Sequence, residues 1–129
     1  NLRKLISNPN TSEIDGLFFS ILKDSPGIFN DIKKNIHSSS DSLILISKIK
    51  FFLYIMLEIR GGKEIDNAFP RYLFKQKNKF LIIFKKTSSI KLLGAISLIK
   101  KTEQLLKKHP SIFFLIAQRF LINLKKTLI

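Results

Sequence analysis

The sequence predicts an all-α fold. It is read as a compact, bundle-like domain of five main helices plus short helical pieces, around a central buried helix over about residues 41–61. Three observations carry that expectation. The stretch DSLILISKIKFFLYIMLEIRGG, Asp41 to Gly62, offers a capping carboxylate at one end and two glycines at the other. Its polar groups Ser47, Lys50, Tyr54 and Glu58 fall on one narrow stripe, and most other faces are apolar, as in a helix buried by its neighbours. Elsewhere apolar residues recur at spacings of 3 and 4, and no strand candidate has a partner strand.

Taken in order, residues 1–7 suit a short helix or the tail of a preceding element, broken by Asn8-Pro9-Asn10. Ser12 begins an N-terminal cap, and Ile14, Leu17, Phe18, Ile21 and Leu22 then predict a helix to about Lys23. Ser25-Pro26 suits the start of a second helix, with Ser25 as cap and an apolar face of Ile28, Phe29, Ile32 and Ile36. The long helix follows. After it, residues 63–69 form a short turn stopped by Pro70; in the stretch Arg71 to Lys86 that follows, the second half, Asn78 to Phe84, is apolar enough for strand or helix, and the lack of a partner strand argues for helix.

Thr87-Ser88-Ser89 caps a helix from Ile90 to about Lys108. Leu92, Ala95, Ile96, Ile99 and Leu106 line one face; Lys100, Lys101, Gln104, Lys107 and Lys108 line the other. Glu103 and Lys107 are ordered for an i,i+4 ion pair. His109-Pro110-Ser111 breaks the chain, and Ser111 is expected to cap a last helix to about Thr127. Its apolar stripe is Phe113, Ile116, Ala117, Phe120, Leu121 and Leu124.

A chain of 129 residues suits one domain and can bury roughly two-thirds of its unfolded surface. The absence of Cys excludes disulfides and thiolate metal sites. No run of about 18 uncharged apolar residues suggests a membrane span. The start, NLRKLISNPN, has no initiator Met and no signal-peptide core, which gives a cytoplasmic expectation and suggests a piece of something longer. Net charge is +14, which attracts polyanions. Lys supplies most of it, however, and Lys, Ile, Phe and Asn make up 60 of the 129 residues. That joint bias is what an AT-rich genome writes into any protein, and specific phosphate or base recognition favours Arg.

Few groups are placed for chemistry. The acids stand mostly at helix caps and first turns, and His37 and His109 stand at helix C-termini, where the dipole favours a cation. Gly61-Gly62-Lys63 lacks the earlier glycine of a phosphate loop, and Glu64 stands where Ser or Thr would hold magnesium. The domain is therefore expected to be no enzyme and to hold no cofactor, metal or small-molecule substrate. In the connector, Arg71, Tyr72, Phe74, Lys75, Lys77, Lys79 and Phe80 interleave basic and aromatic residues, as do surfaces that hold phosphates and stack bases. Arg71, Lys75, Lys77 and Lys79 are the candidate nucleic-acid contacts. The competing reading anchors the phenylalanines in the core and leaves the lysine heads wet.

The order of these segments resembles the C-terminal part of the delta subunit of bacterial DNA polymerase III, a clamp-loader protein. SEIDGLFFSILKDSPGIFNDIKKNI is similar to that family's first helical pair, and the long helix to its central one. IDNAFPRYLFKQKNKFLIIFKKTSSIKLL resembles its connector, and TEQLLKKHPSIFFLIAQRFLINL its closing two helices. The resemblance implies that residues 1–10 end a preceding lid domain and that residues 11–129 form a helical collar. Such a collar holds the clamp loader together by packing on the collars of the other subunits, so that the whole complex can load the sliding clamp in replication. DNA would be met through the assembled complex. The rival reading is a stand-alone basic helical module that binds nucleic acid.

Overall fold

Short polar side chains open three of the long helices by accepting backbone N–H groups that the first turn leaves free. The computed structural model describes residues 14–129. These comprise a first 3-10 segment, Gly16–Leu22, then α1 (Ser25–Asn35), α2 (Ser39–Arg60) and the single turn α3 (Ile65–Ala68). A second 3-10 segment, Arg71–Gln76, leads into α4 (Lys77–Lys86). α5 (Ser89–Lys108), a third 3-10 segment (Pro110–Ile112) and α6 (Phe113–Leu128) complete them. There is no strand among the described residues. The all-α expectation is met. The short helix over 1–7, its break and the Ser12 cap lie outside the described residues.

Several boundaries differ from expectation, each for a physical reason. Residues 16–22 coil as a 3-10 segment, in which Leu17, Phe18, Phe19, Ser20 and Ile21 are all buried. Five consecutive buried residues mean that the segment is packed on all sides, which the one-sided spacing of Ile14, Leu17, Phe18, Ile21 and Leu22 does not show. Asp24 caps α1, its carboxylate accepting from the Gly27 N–H at 2.8 Å. Ser25 and Pro26 therefore stand inside the first turn. Ser38 caps α2, accepting from the Asp41 N–H at 3.1 Å, while the Asp41 carboxylate accepts from the His37 N–H at 2.9 Å. The pair acts reciprocally, much as in a capping box. Leu73 leaves helical geometry (φ −107°, ψ 17°), a kink within the second 3-10 segment, and the helix expected over Asn78 to Phe84 forms as part of α4. At α6, Pro110 starts a helical turn before Ser111 can cap, and Phe113 begins the α-helix without a side-chain cap. Ser88 caps α5 as expected, but Glu103 and Lys107 do not pair.

α2 ends in a Schellman turn. The Lys63 N–H donates to the Glu58 carbonyl and the Gly62 N–H to that of Ile59. Gly62 adopts φ +110°, a conformation that side-chain-bearing residues rarely enter. His37 donates from its ring to the Lys34 carbonyl at 2.7 Å, and so closes α1 as a cation site would.

The core forms where α2 packs along α5 and α5 along α6. α6 also touches α1, α2 and the first 3-10 segment, so it shares the central position with α2. Four phenylalanines, Phe18, Phe52, Phe80 and Phe120, are fully buried. One face of α2 stays open among the described residues: of the predicted stripe, Ser47, Tyr54 and Glu58 are exposed and Lys50 is half-buried, and Leu43 and Phe51 are exposed with them. Polar contacts fix the helix ends. The Ser42 hydroxyl donates to the Phe113 carbonyl at 3.3 Å, joining α2 to α6. Arg60 donates to the Phe84 and Thr87 carbonyls and lies 4.6 Å above the Phe84 ring, joining α2 to the end of α4. The buried Thr87 hydroxyl donates to the Ile83 carbonyl, with that of Leu128 also in reach.

Asp31 holds α1 to the first 3-10 segment, accepting from Lys23 at 2.8 Å and Ser20 at 2.6 Å. Burial alone would raise its pKa. The hydrogen bonds from Lys23 and Ser20, with the charges of Lys23 and Lys34, outweigh that and hold the carboxyl below its ordinary value of 3.8. A depressed carboxyl stabilises fully above its unfolded pKa and loses that contribution as pH falls through the lowered folded value. Asp31→Asn is therefore expected to cost roughly 1 kcal/mol at pH 7, with the difference from the parent shrinking below about pH 4. Urea midpoints of both proteins across pH 2–7 measure it; a gap that stays constant through the acid range contradicts the assignment.

Candidate functional site

Whatever this domain does must be done with its surface, because the buried interior is almost wholly apolar. Among the described residues no three His, Cys, Asp or Glu side chains gather as a metal site. No helix there is long and apolar enough to cross a membrane.

The predicted basic–aromatic connector folds as the second 3-10 segment and the first turn of α4. Its aromatic residues divide. Phe80 is fully buried against Phe69 (centroids 5.0 Å apart) and Phe52 (6.2 Å). Tyr72 and Phe74 are about two-thirds exposed, at 69% and 67%. Of the four candidate contacts, Arg71 and Lys77 line one open depression together with Asp66, Phe69, Pro70 and Phe74. Lys77 is already engaged there: it pairs with Asp66, and its ammonium lies 5.6 Å from the centre of the Phe74 ring. Lys75 and Lys79 are exposed outside that depression. The structure thus brings two of the four together and neutralises one of those two.

A second surface was not read from the sequence. α6 buries Ile116, Ala117, Phe120, Leu121, Leu124 and Leu128. On its opposite face, and on the turn before it, Ile112, Leu115, Arg119, Ile122, Lys126 and Ile129 recur at spacings of 3 and 4. This outer stripe is apolar with two cations in it. Between α5 and α6 it adjoins a depression of about 230 Å³ whose α5 wall holds Leu98, Lys101, Thr102 and Leu105. Ile116 and Phe120 also line it. Leu105, Ile112 and Leu115 are 45%, 44% and 45% exposed, so the depression is open and apolar along its rim. It is smaller than the roughly 300–1,000 Å³ of small-molecule sites, and suits inserted side chains better than a whole ligand.

The charge around this face is one-sided. From Ser89 to Leu128 there are eight Lys or Arg and a single acid, Glu103, which does not line the depression. The ion pairs among the described residues use Asp15, Asp31, Glu58 and Asp66, and none involves α5 or α6. The double stripe of α6 was the available sequence signal. Its inner half alone satisfies a core helix, which is why the outer half is overlooked when a helix is read for one face.

No family model, curated protein or solved structure matches the chain. The geometry of the surface itself is the ground for a functional reading. An open apolar stripe with scattered cations is chemically inert and suits packing against another macromolecule.

Proposed function

We propose that this chain is an assembly domain, and that it serves as the collar of a clamp-loader delta subunit, as its resemblance to that family implies. The observation that carries the assembly reading is the open apolar face between α5 and α6, where Ile112 and Leu115 stand beside Leu98 and Leu105 of α5 and no other described element covers them. Such a face stabilises an association through apolar burial within a polar rim. The reading assigns the domain no catalytic step, and places it in the cytoplasm with the other subunits, where DNA is met by the assembled complex.

The test mixes the chain with the collar fragments of the other clamp-loader subunits and measures mass by light scattering at low and moderate salt. A hetero-complex that persists as salt rises is the expected result. Leu115→Glu is expected to weaken it about 30-fold or more, corresponding to about 2 kcal/mol at a central contact. No complex with any collar overturns the clamp-loader reading.

A second reading has its own observation. Tyr72 and Phe74 stand exposed beside Arg71, Lys75 and Lys79, as in a platform for single-stranded nucleic acid. It requires binding of an oligonucleotide that weakens steeply with salt and falls further in Tyr72→Ala and Arg71→Ala.

A further inference from the structure

We propose that the depression between α5 and α6 receives an acidic amphipathic helix of a partner chain, an inference that rests on the assembly reading and names the chemistry of the partner. The shape comes first. From Leu98 to Leu105 the α5 wall rises about 10 Å, or two helical turns. A helix lying along it would present anchors at i, i+3 or i+4, and i+7, the spacing by which helices dock in apolar grooves. The floor of Ile116 and Phe120 offers only apolar contact to those anchors.

Charge selects among possible occupants. Lys101 on one wall and Arg119 on the other flank the depression, and no acid among the described residues lines it. Lys126 continues the cationic rim along α6, in the neighbouring depression with Leu115, Arg119 and Ile122. Carboxylates on both flanks of an incoming helix would meet these cations, which sets register and opposes wrong partners. A second copy of this chain would instead bring Arg119 and Lys101 against their like, on a chain of net charge +14. A nucleic acid would find no exposed aromatic ring here to stack on, since Phe120 is buried. A lipid surface prefers a convex apolar face, whereas these residues border a recess between two helices.

The probe is a stapled helical peptide with leucines at i, i+3 and i+7 and glutamates on both flanks, compared with a twin carrying lysines in place of the glutamates. Binding to the whole chain is followed by fluorescence anisotropy, and the site by NMR shifts of Leu105, Leu115 and Ile112. The glutamate peptide is expected to bind at least about tenfold tighter than its twin. Arg119→Glu, an exposed position, is expected to reverse that preference while leaving thermal stability unchanged. Equal binding of the two peptides, or an unchanged preference in Arg119→Glu, overturns the proposal. So does binding to phosphatidylserine vesicles with no peptide binding, and so does self-association of the chain that Leu115→Glu abolishes. The two readings fail separately. A collar complex that forms normally with Arg119→Glu sinks this inference and leaves the assembly reading standing; charge-selective peptide binding without any collar complex sinks the clamp-loader reading and leaves this inference standing.

Discussion

Phe52→Ala is expected to destabilise the domain by about 3–5 kcal/mol and to lower the melting temperature on the order of 10–20 °C. Phe52 is fully buried in α2 and holds together rings from three other parts of the chain. It stacks on Phe18 at 4.8 Å and 13°, and meets Phe19 edge-on at 5.2 Å. On its other side lie Phe80 at 6.2 Å and Phe69 at 6.4 Å. Alanine removes a ring that these four close around, and the cavity left cannot collapse without moving the first 3-10 segment, α3 and α4 together. The adjacent Phe51 supplies the control. It is 42% exposed, and Phe51→Ala is expected to cost no more than about 1 kcal/mol. Thermal melts and urea titrations of the two variants decide the matter. Equal losses would mean that α2 is not oriented as described. The same pair bears on function, because a variant such as Leu115→Glu must be shown to lie outside this core before its loss of binding means anything.

What the sequence makes legible is set by how local its causes are. The apolar patterns of α1, α2, α5 and α6 were readable because helical spacing is a property of neighbours three and four apart, and Leu92, Ala95, Ile99 and Leu106 are buried as their spacing predicts. Terminal glycines were readable for the same reason: Gly62 takes the left-handed turn that ends α2. Caps were less legible, because two candidates often compete within one turn. Asp24 displaced Ser25 and Ser38 displaced Asp41, in each case the earlier residue, which left the later one inside the helix. The 3-10 coil of residues 16–22 was not legible, since its spacing reads as an ordinary helix and the partner ring of Phe19, Phe52, comes from α2. The candidate site divides in the same way. Arg71, Lys75, Lys77 and Lys79 are visible as a pattern, but that Lys77 would be taken up by Asp66, 11 residues earlier, depends on the turn at Pro70. The depression between α5 and α6 needs two helices to exist, and no single stretch announces it.

Lys48→Met carries the second large expectation, about 1–3 kcal/mol of lost stability, and the reason is what it leaves behind. Lys48 in α2 reaches Asp15, just before the first 3-10 segment, at 3.2 Å. The Asp15 side chain is only 9% exposed, while that of Lys48 is 30% exposed. Asp15 makes no capping hydrogen bond to the segment it precedes, so Lys48 is the described partner that compensates its charge. Removing one member of a fully buried pair costs about 3–5 kcal/mol, and the partial exposure of Lys48 reduces that range. The uncompensated carboxylate of Asp15, more than the absence of the ion pair, produces the effect. Removing both should therefore cost less than removing one. Asp15→Leu combined with Lys48→Met is expected to recover at least half of the stability that Lys48→Met alone forfeits, because neither member of the pair then leaves an uncompensated charge behind. A double-mutant cycle by urea unfolding measures the coupling directly. If the effects of the two single substitutions simply add, the ion pair does not hold the first 3-10 segment on α2, and its place there is set by apolar packing such as that of Phe18 and Phe19 on Phe52.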